Sequence, residues 1–151
     1  MIKTKTEVDD FLNEFQNGDV KTDNVIINYV PWKRKVNKTR AYLAETGLRV
    51  EDVFEVIKRL KVENYSYTEL DSNKNFAEEE VWFFGITENL VDREENYYIK
   101  LKIRKDDEVI RLIMSFHPES PNEPDEKLEF PYKKYWNWKI TSTVAKATVD
   151  G

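Results

Sequence analysis

The chain contains a single histidine, His117, at the end of an apolar run that follows the alternating segment Asn96 to Arg104. In that segment Tyr97, Ile99, Leu101 and Ile103 alternate with Tyr98, Lys100, Lys102 and Arg104. Period-two alternation assigns the first set to a core and the second to the opposite face of a strand. In the run that follows, Ile110, Leu112, Met114 and Phe116 point one way, and Val109, Arg111, Ile113, Ser115 and His117 the other. A turn at Asp106-Asp107, or over Lys105 to Glu108, places Arg104 opposite Val109, Tyr98 opposite Ser115 and Asn96 opposite His117. His117 then lies diagonal to Tyr98, roughly 7–8 Å away and within side-chain reach. One face gathers Tyr98, Lys100, Lys102, Arg104, Arg111, Ser115 and His117.

That set suits metal-independent cleavage of an RNA phosphodiester. An imidazole with an unperturbed pKa of about 6.5 can take the 2′-hydroxyl proton or protonate the leaving 5′-oxygen. Lys100, Lys102 and Arg111 would bind the phosphate and stabilise its developing charge. Tyr98 would donate a hydrogen bond or stack on a base. The plainer reading is the solvated side of an amphipathic sheet with a capping histidine at a strand end. A second basic run, Trp32-Lys33-Arg34-Lys35 with Lys38 and Arg40, contains no acid. It would track an RNA backbone, with Lys33 and Arg34 on phosphates, or form a solvated loop entering a helix.

Composition narrows the classes further. Zero cysteines and one histidine exclude disulfide scaffolds, thiolate zinc sites, cysteine nucleophiles and histidine-cluster metal centres. With only 4 glycines there is no phosphate-cradling loop, and no metal or cofactor is expected. A net charge of -5 argues against a uniformly basic nucleic-acid binder and leaves any basic work local. Glu78-Glu79-Glu80 reads as a solvated run and Asp106-Asp107-Glu108 as turn chemistry. No apolar stretch approaches the ~20 residues of a membrane span, and the first residues lack a signal-peptide core. The expectation is a cytoplasmic protein without a membrane partner.

The elements that must position these groups follow from periodicity. Val8, Phe11, Leu12 and Phe15 predict a helix over 6–17, capped by Thr6 with Asp9 and stopped at Gly18. A strand is predicted over 25–30, and helices over 38–45, closing on Gly47, and 50–60, with Val53, Phe54, Ile57 and Leu60 on one face. Strands follow at 80–86, 96–104 and 109–116. Helices first and consecutive strands later predict an α+β fold, with helices packed against an antiparallel sheet. Pro118 to Glu129 reads as loop, 1–134 as one domain, and 135–151 as a tail that begins aromatic and ends in small residues.

Five short motifs occur in order: Val62-Glu63-Asn64-Tyr65-Ser66, Val81-Trp82-Phe83-Phe84-Gly85, Tyr98-Ile99-Lys100-Leu101-Lys102, Ser115-Phe116-His117-Pro118-Glu119 and Phe130-Pro131-Tyr132-Lys133. Asn37-Lys38-Thr39, leading into Leu43 to Leu48, precedes them. This order resembles the MqsR-like branch of type II toxin–antitoxin toxins over roughly residues 25–134. The resemblance implies a RelE-like fold, a twisted antiparallel sheet with helices on one side. It implies mRNA endoribonuclease activity and a cognate protein antitoxin that holds it silent. It sets the tyrosine of the family's Tyr-x-Lys strand on Tyr98 and matches a lysine after the Ser-Phe pair to His117. At two positions the chain departs from that pattern, with Ser66 where a lysine stands and Phe83 where a glutamine stands. Ser66 then reads as a loop hydroxyl and Phe83 as a packing residue. The alternative function is a non-catalytic RNA- or protein-binding module on the same fold.

Overall fold

The computed structural model describes residues 1–18, 20–28, 37–72, 74–120, 123 and 126–133. Helix α1 spans Lys5–Gln16 and is capped by Thr4, not Thr6: Thr4 Oγ1 accepts from Glu7 N at 3.1 Å, and Glu7 Oε1 accepts from Thr4 N at 3.0 Å. The glutamate is long enough to reach back to the cap amide, whereas Asp9 behind Thr6 is shorter. Helix α2 spans Lys38–Thr46, capped by Asn37 and closed where Gly47 turns left-handed at φ 77°. Helix α3 covers Val50–Ile57 and ends before Leu60, because its last turn tightens through Arg59 N to Val56 O and Leu60 N to Ile57 O. Leu60 is nevertheless buried with Val53, Phe54 and Ile57.

The strands are β1 (Val25–Ile27), β2 (Tyr65–Leu70), β3 (Glu80–Asn89), β4 (Glu94–Asp106) and β5 (Val109–Pro118). Their spatial order is β1-β5-β4-β3-β2. The α+β expectation holds, but the sheet is mixed. Strand β1 pairs with β5 in parallel, Val25 against Leu112, while the other three pairings are antiparallel. Tight hairpins enforce antiparallel pairing only for chain neighbours, and β1 reaches β5 through a long connection. Strand β2 was not predicted. Its pairing shifts between Tyr65↔Phe84 and Tyr67↔Phe83, a bulge that leaves Ser66 extra and breaks the alternation a strand displays in sequence.

The β4–β5 register differs from the expected one by two residues. Asp106 pairs with Val109 across the turn residues Asp107 and Glu108, with Asp107 left-handed at φ 54°, a conformation aspartate tolerates. Tyr98 therefore faces His117, Lys100 faces Ser115, and Arg104 faces Arg111. A two-residue slip leaves every side chain on its assigned face, so both apolar sets still land together.

All three helices contribute to one core on that apolar face. Phe11, Phe15, Leu43, Phe54 and Ile57 pack with Trp82, Phe84, Ile99, Leu112, Met114 and Phe116. Phe11 stacks on Trp82 with centroids 4.1 Å apart, and the Tyr42 and Tyr97 hydroxyls meet at 2.6 Å. Pairing with β1 stops at Ile27↔Met114, after which Thr39 Oγ1 accepts from Phe116 N at 3.0 Å. Helix α2 thus takes over an amide that β1 is too short to pair, which sets Lys38 beside the end of β5.

Candidate active site

The face of the sheet opposite the helices carries Tyr67, Phe83, Tyr98 and His117, with Lys100, Lys102, Arg104 and Arg111 further along. Tyr98 and His117 sit on paired positions of adjacent strands, their rings 5.4 Å apart and tilted. The tertiary fold brings them closer than the diagonal placement expected from sequence. Phe83 stacks flat on Tyr67 at 4.2 Å and lies 6.0 Å from Tyr98, so three aromatic rings form a row. Lys100 Nζ lies 5.5 Å above the Phe83 ring and 5.7 Å above the Tyr98 ring. A cation over ring faces is favourable.

His117 Nδ1 lies 2.9 Å from Pro118 O. A carbonyl only accepts, so in the neutral ring Nδ1 holds the proton and Nε2 holds the lone pair. Among the described residues no group hydrogen-bonds Nε2. Burial pushes the imidazole below its ordinary value, against the Pro118 carbonyl and the Glu126 carboxylate, which favour the charged form. The ring is only 5% exposed and is neutral near pH 7. Burial raises the Tyr98 hydroxyl far above its ordinary range, helped by Tyr67, so Tyr98 is a neutral phenol.

Two residues outside the expected set complete this corner. Glu126 Oε1 lies 3.9 Å from His117 Nδ1, and Glu126 Oε2 takes the Lys38 ammonium at 2.6 Å. Lys38 also reaches Glu123 at 2.6 Å. Burial works against the charge on Glu126, but the bonds to Lys38 and Glu123, together with the charges of His117 and Lys38, hold the carboxyl below its usual range. Lys38 is visible in sequence as part of a basic run. Glu126 carries no such signal, since it stands in a proline-broken acidic segment.

The expected cationic face is not free of acids, which is a correction to the sequence reading. Lys102 is 5% exposed, with Nζ 2.5 Å from Asp71 and 3.7 Å from Glu79. Arg104 forms a forked pair with Glu79 at 2.7 and 3.0 Å. Arg111 pairs with Asp106 at 2.6 Å. The β2–β3 connection folds back so that Phe76 lies under both Lys102 and Arg104, and Glu79 is no solvated carboxylate. Glu80 likewise binds Lys3 at 2.5 Å. Lys102 and Arg104 thus spend their charge on holding a loop, and Arg111 remains at the rim. Lys33 and Arg34, with the rest of 29–36, lie outside the described residues, as does the tail 135–151.

The departed positions are structural. Ser66 is a buried strand residue and not a loop hydroxyl: its Oγ donates to Glu129 O at 2.6 Å and accepts from Glu129 N at 3.2 Å. Phe83 packs, as expected, with Tyr98 and Leu128. The described residues hold no group of three or more His, Cys, Asp or Glu placed to bind a metal, and no described helix is long and apolar enough to cross a membrane.

Three helices on one face of a five-stranded sheet, and one imidazole opposite a tyrosine on the other, define an α+β protein whose polar site is borne by the sheet. The family model described as motility quorum-sensing regulator, toxin of MqsA, matches residues 24–118, from just before β1 to the end of β5. The chain belongs to this family of toxin–antitoxin toxins. No curated protein and no solved structure matches it.

Proposed function

We propose that the protein is an endoribonuclease toxin that cleaves mRNA without a metal and is neutralised by a cognate protein antitoxin. The observation that carries this reading is the His117 tautomer beside a cation pair. With Nδ1 engaged by Pro118, the lone pair of Nε2 is the group able to take a 2′-hydroxyl proton. The freed 2′-oxygen then attacks phosphorus, the P–O5′ bond breaks, and the 5′-oxygen takes a proton from water to leave as a hydroxyl, while the imidazolium returns its proton to solvent. Products are a 2′,3′-cyclic phosphate and a 5′-hydroxyl end. Lys100 and Lys38 are the cations whose charges act on the imidazole, and they carry the phosphate charge, with Arg111 at the rim and Lys102 holding the loop beneath. Tyr98 donates to the RNA, and the Tyr67–Phe83–Tyr98 row stacks a base.

The second reading is a non-catalytic RNA- or protein-binding module, favoured by the low exposure of His117 and Tyr98, 5% and 3%. Incubating purified protein with mixed RNA in EDTA separates the two. Cleavage that disappears in His117→Ala supports the proposal. Cleavage that persists unchanged in the variant removes His117 from the mechanism. Intact RNA in every case favours the binding module.

A further inference from the structure

A polymeric phosphodiester cannot contact an imidazole and a phenol that are almost wholly covered. If the outer face works on RNA, whatever covers it has to move. The described cover is the segment 126–130. It pairs with no strand of the sheet, and lies on the outer face through side chains and one clamp. Leu128 and Phe130 pack on the cluster of Phe83 and Tyr98, with Tyr67 beside them. Ser66, the extra residue of the β2 bulge, holds both the amide and the carbonyl of Glu129. Glu126 sets its carboxylate between Lys38 and His117. Exposed Lys127 and Glu129 alternate with covered Glu126 and Leu128, as an extended segment lying on a surface requires.

We propose that segment 126–130 is an internal competitor for the RNA site, and this rests on the ribonuclease reading above. Glu126 places an anion on the Lys38 ammonium that a phosphate would take, at the Nδ1 edge of the His117 ring. Leu128 and Phe130 cover the aromatic row where a base would stack. One segment therefore reproduces both halves of a nucleotide, the charge and the flat apolar surface, with the spacing of a single extended stretch. RNA and the segment cannot occupy the face together, so the apparent affinity for RNA is scaled by the fraction of molecules with the segment lifted.

The test uses the full chain and a short single-stranded oligoribonucleotide carrying 2′-O-methyl groups, which binds without being cut. Ser66→Ala with Phe130→Ser loosens the clamp and the apolar contact without touching His117, Lys38 or Lys100. Hydrogen exchange at the Glu129 amide reports whether the segment has lifted. The expected result is faster exchange together with about tenfold tighter RNA binding, as a rise in the competent fraction dictates. Glu126→Gln, which weakens the anionic half alone, should tighten binding in the same direction. Faster exchange with RNA affinity equal to the parent's measurable value overturns the competitor and leaves the ribonuclease reading intact. Unchanged exchange in the double variant also overturns it, since the clamp would not be what holds the segment. Absence of binding by the parent and all variants, with exchange accelerated, overturns the RNA reading itself.

Discussion

The joint between helix α2 and strand β5 can be tested through one atom. Thr39 is 2% exposed, and its hydroxyl is the partner of Phe116 N at a strand edge where β1 has already ended. Thr39→Val keeps the shape and removes the acceptor, leaving a buried backbone N–H without a partner. An unsatisfied buried donor costs about 1–3 kcal/mol. For a chain of this size each kcal/mol lowers Tm by about 2–4 °C. Thr39→Ser keeps the acceptor and loses one methyl, a deficit of about 0.8 kcal/mol. Urea and thermal unfolding should rank the parent first, then serine, then valine, with the urea m-value unchanged. Hydrogen exchange at the Phe116 amide should accelerate in the valine variant alone. A valine variant as stable as the parent, with that amide still protected, would show that Thr39 does not close this edge. The placement of Lys38 beside His117 would then need another cause.

Three further outcomes follow from the same geometry. Because His117 is the only histidine, its NMR titration is read without assignment: Glu126→Gln should lower its pKa and Lys38→Met should raise it, and the reverse signs would contradict the corner as described. Folding holds His117 neutral, so as pH falls through about 6.5 the unfolded chain takes up a proton that the folded chain resists. Stability should decline from there toward the depressed folded value and then level off. The burial-raised carboxyl of Glu119 contributes the opposite slope above about 4.5, so the histidine effect is read as the difference from His117→Gln, and no difference would refute it. Lys102→Met should destabilise by about 3–5 kcal/mol in chemical denaturation, since Asp71 loses its buried partner. Adding Asp71→Leu should restore a large part of that loss, and simple additivity of the two changes would refute the pairing.

The hydrophobic pattern carried much of the fold by itself. The buried faces of α1 and α3, the close of α2 at Gly47 and the three central strands were legible because each rests on short-range periodicity or on one stop residue. The shared face of Tyr98 and His117 was legible too, since faces alternate with period two and survive a register slip of two. Their direct opposition was not, because the turn closes at Asp107-Glu108, and nothing local favours that over a turn one residue earlier, which shifts the pairing by two. Strand β2 was hidden for a related reason, as the Ser66 bulge breaks the alternation that marks a strand.

Charge was read least well. By strand alternation Lys100, Lys102, Arg104 and Arg111 fall on one face, with Asp106-Asp107-Glu108 assigned to the turn, and that much is determined by sequence. Folding brings Asp71 and Glu79 from the β2–β3 connection, and Glu126 from beyond β5, onto the same face. A cation's partner is set by distance in space, and Lys38 and Glu126 are 88 positions apart in the chain. Sequence alone determined which types of group the outer face presents. Tertiary structure decided which of those charges are already paired, and that the one histidine lies under a segment of its own chain.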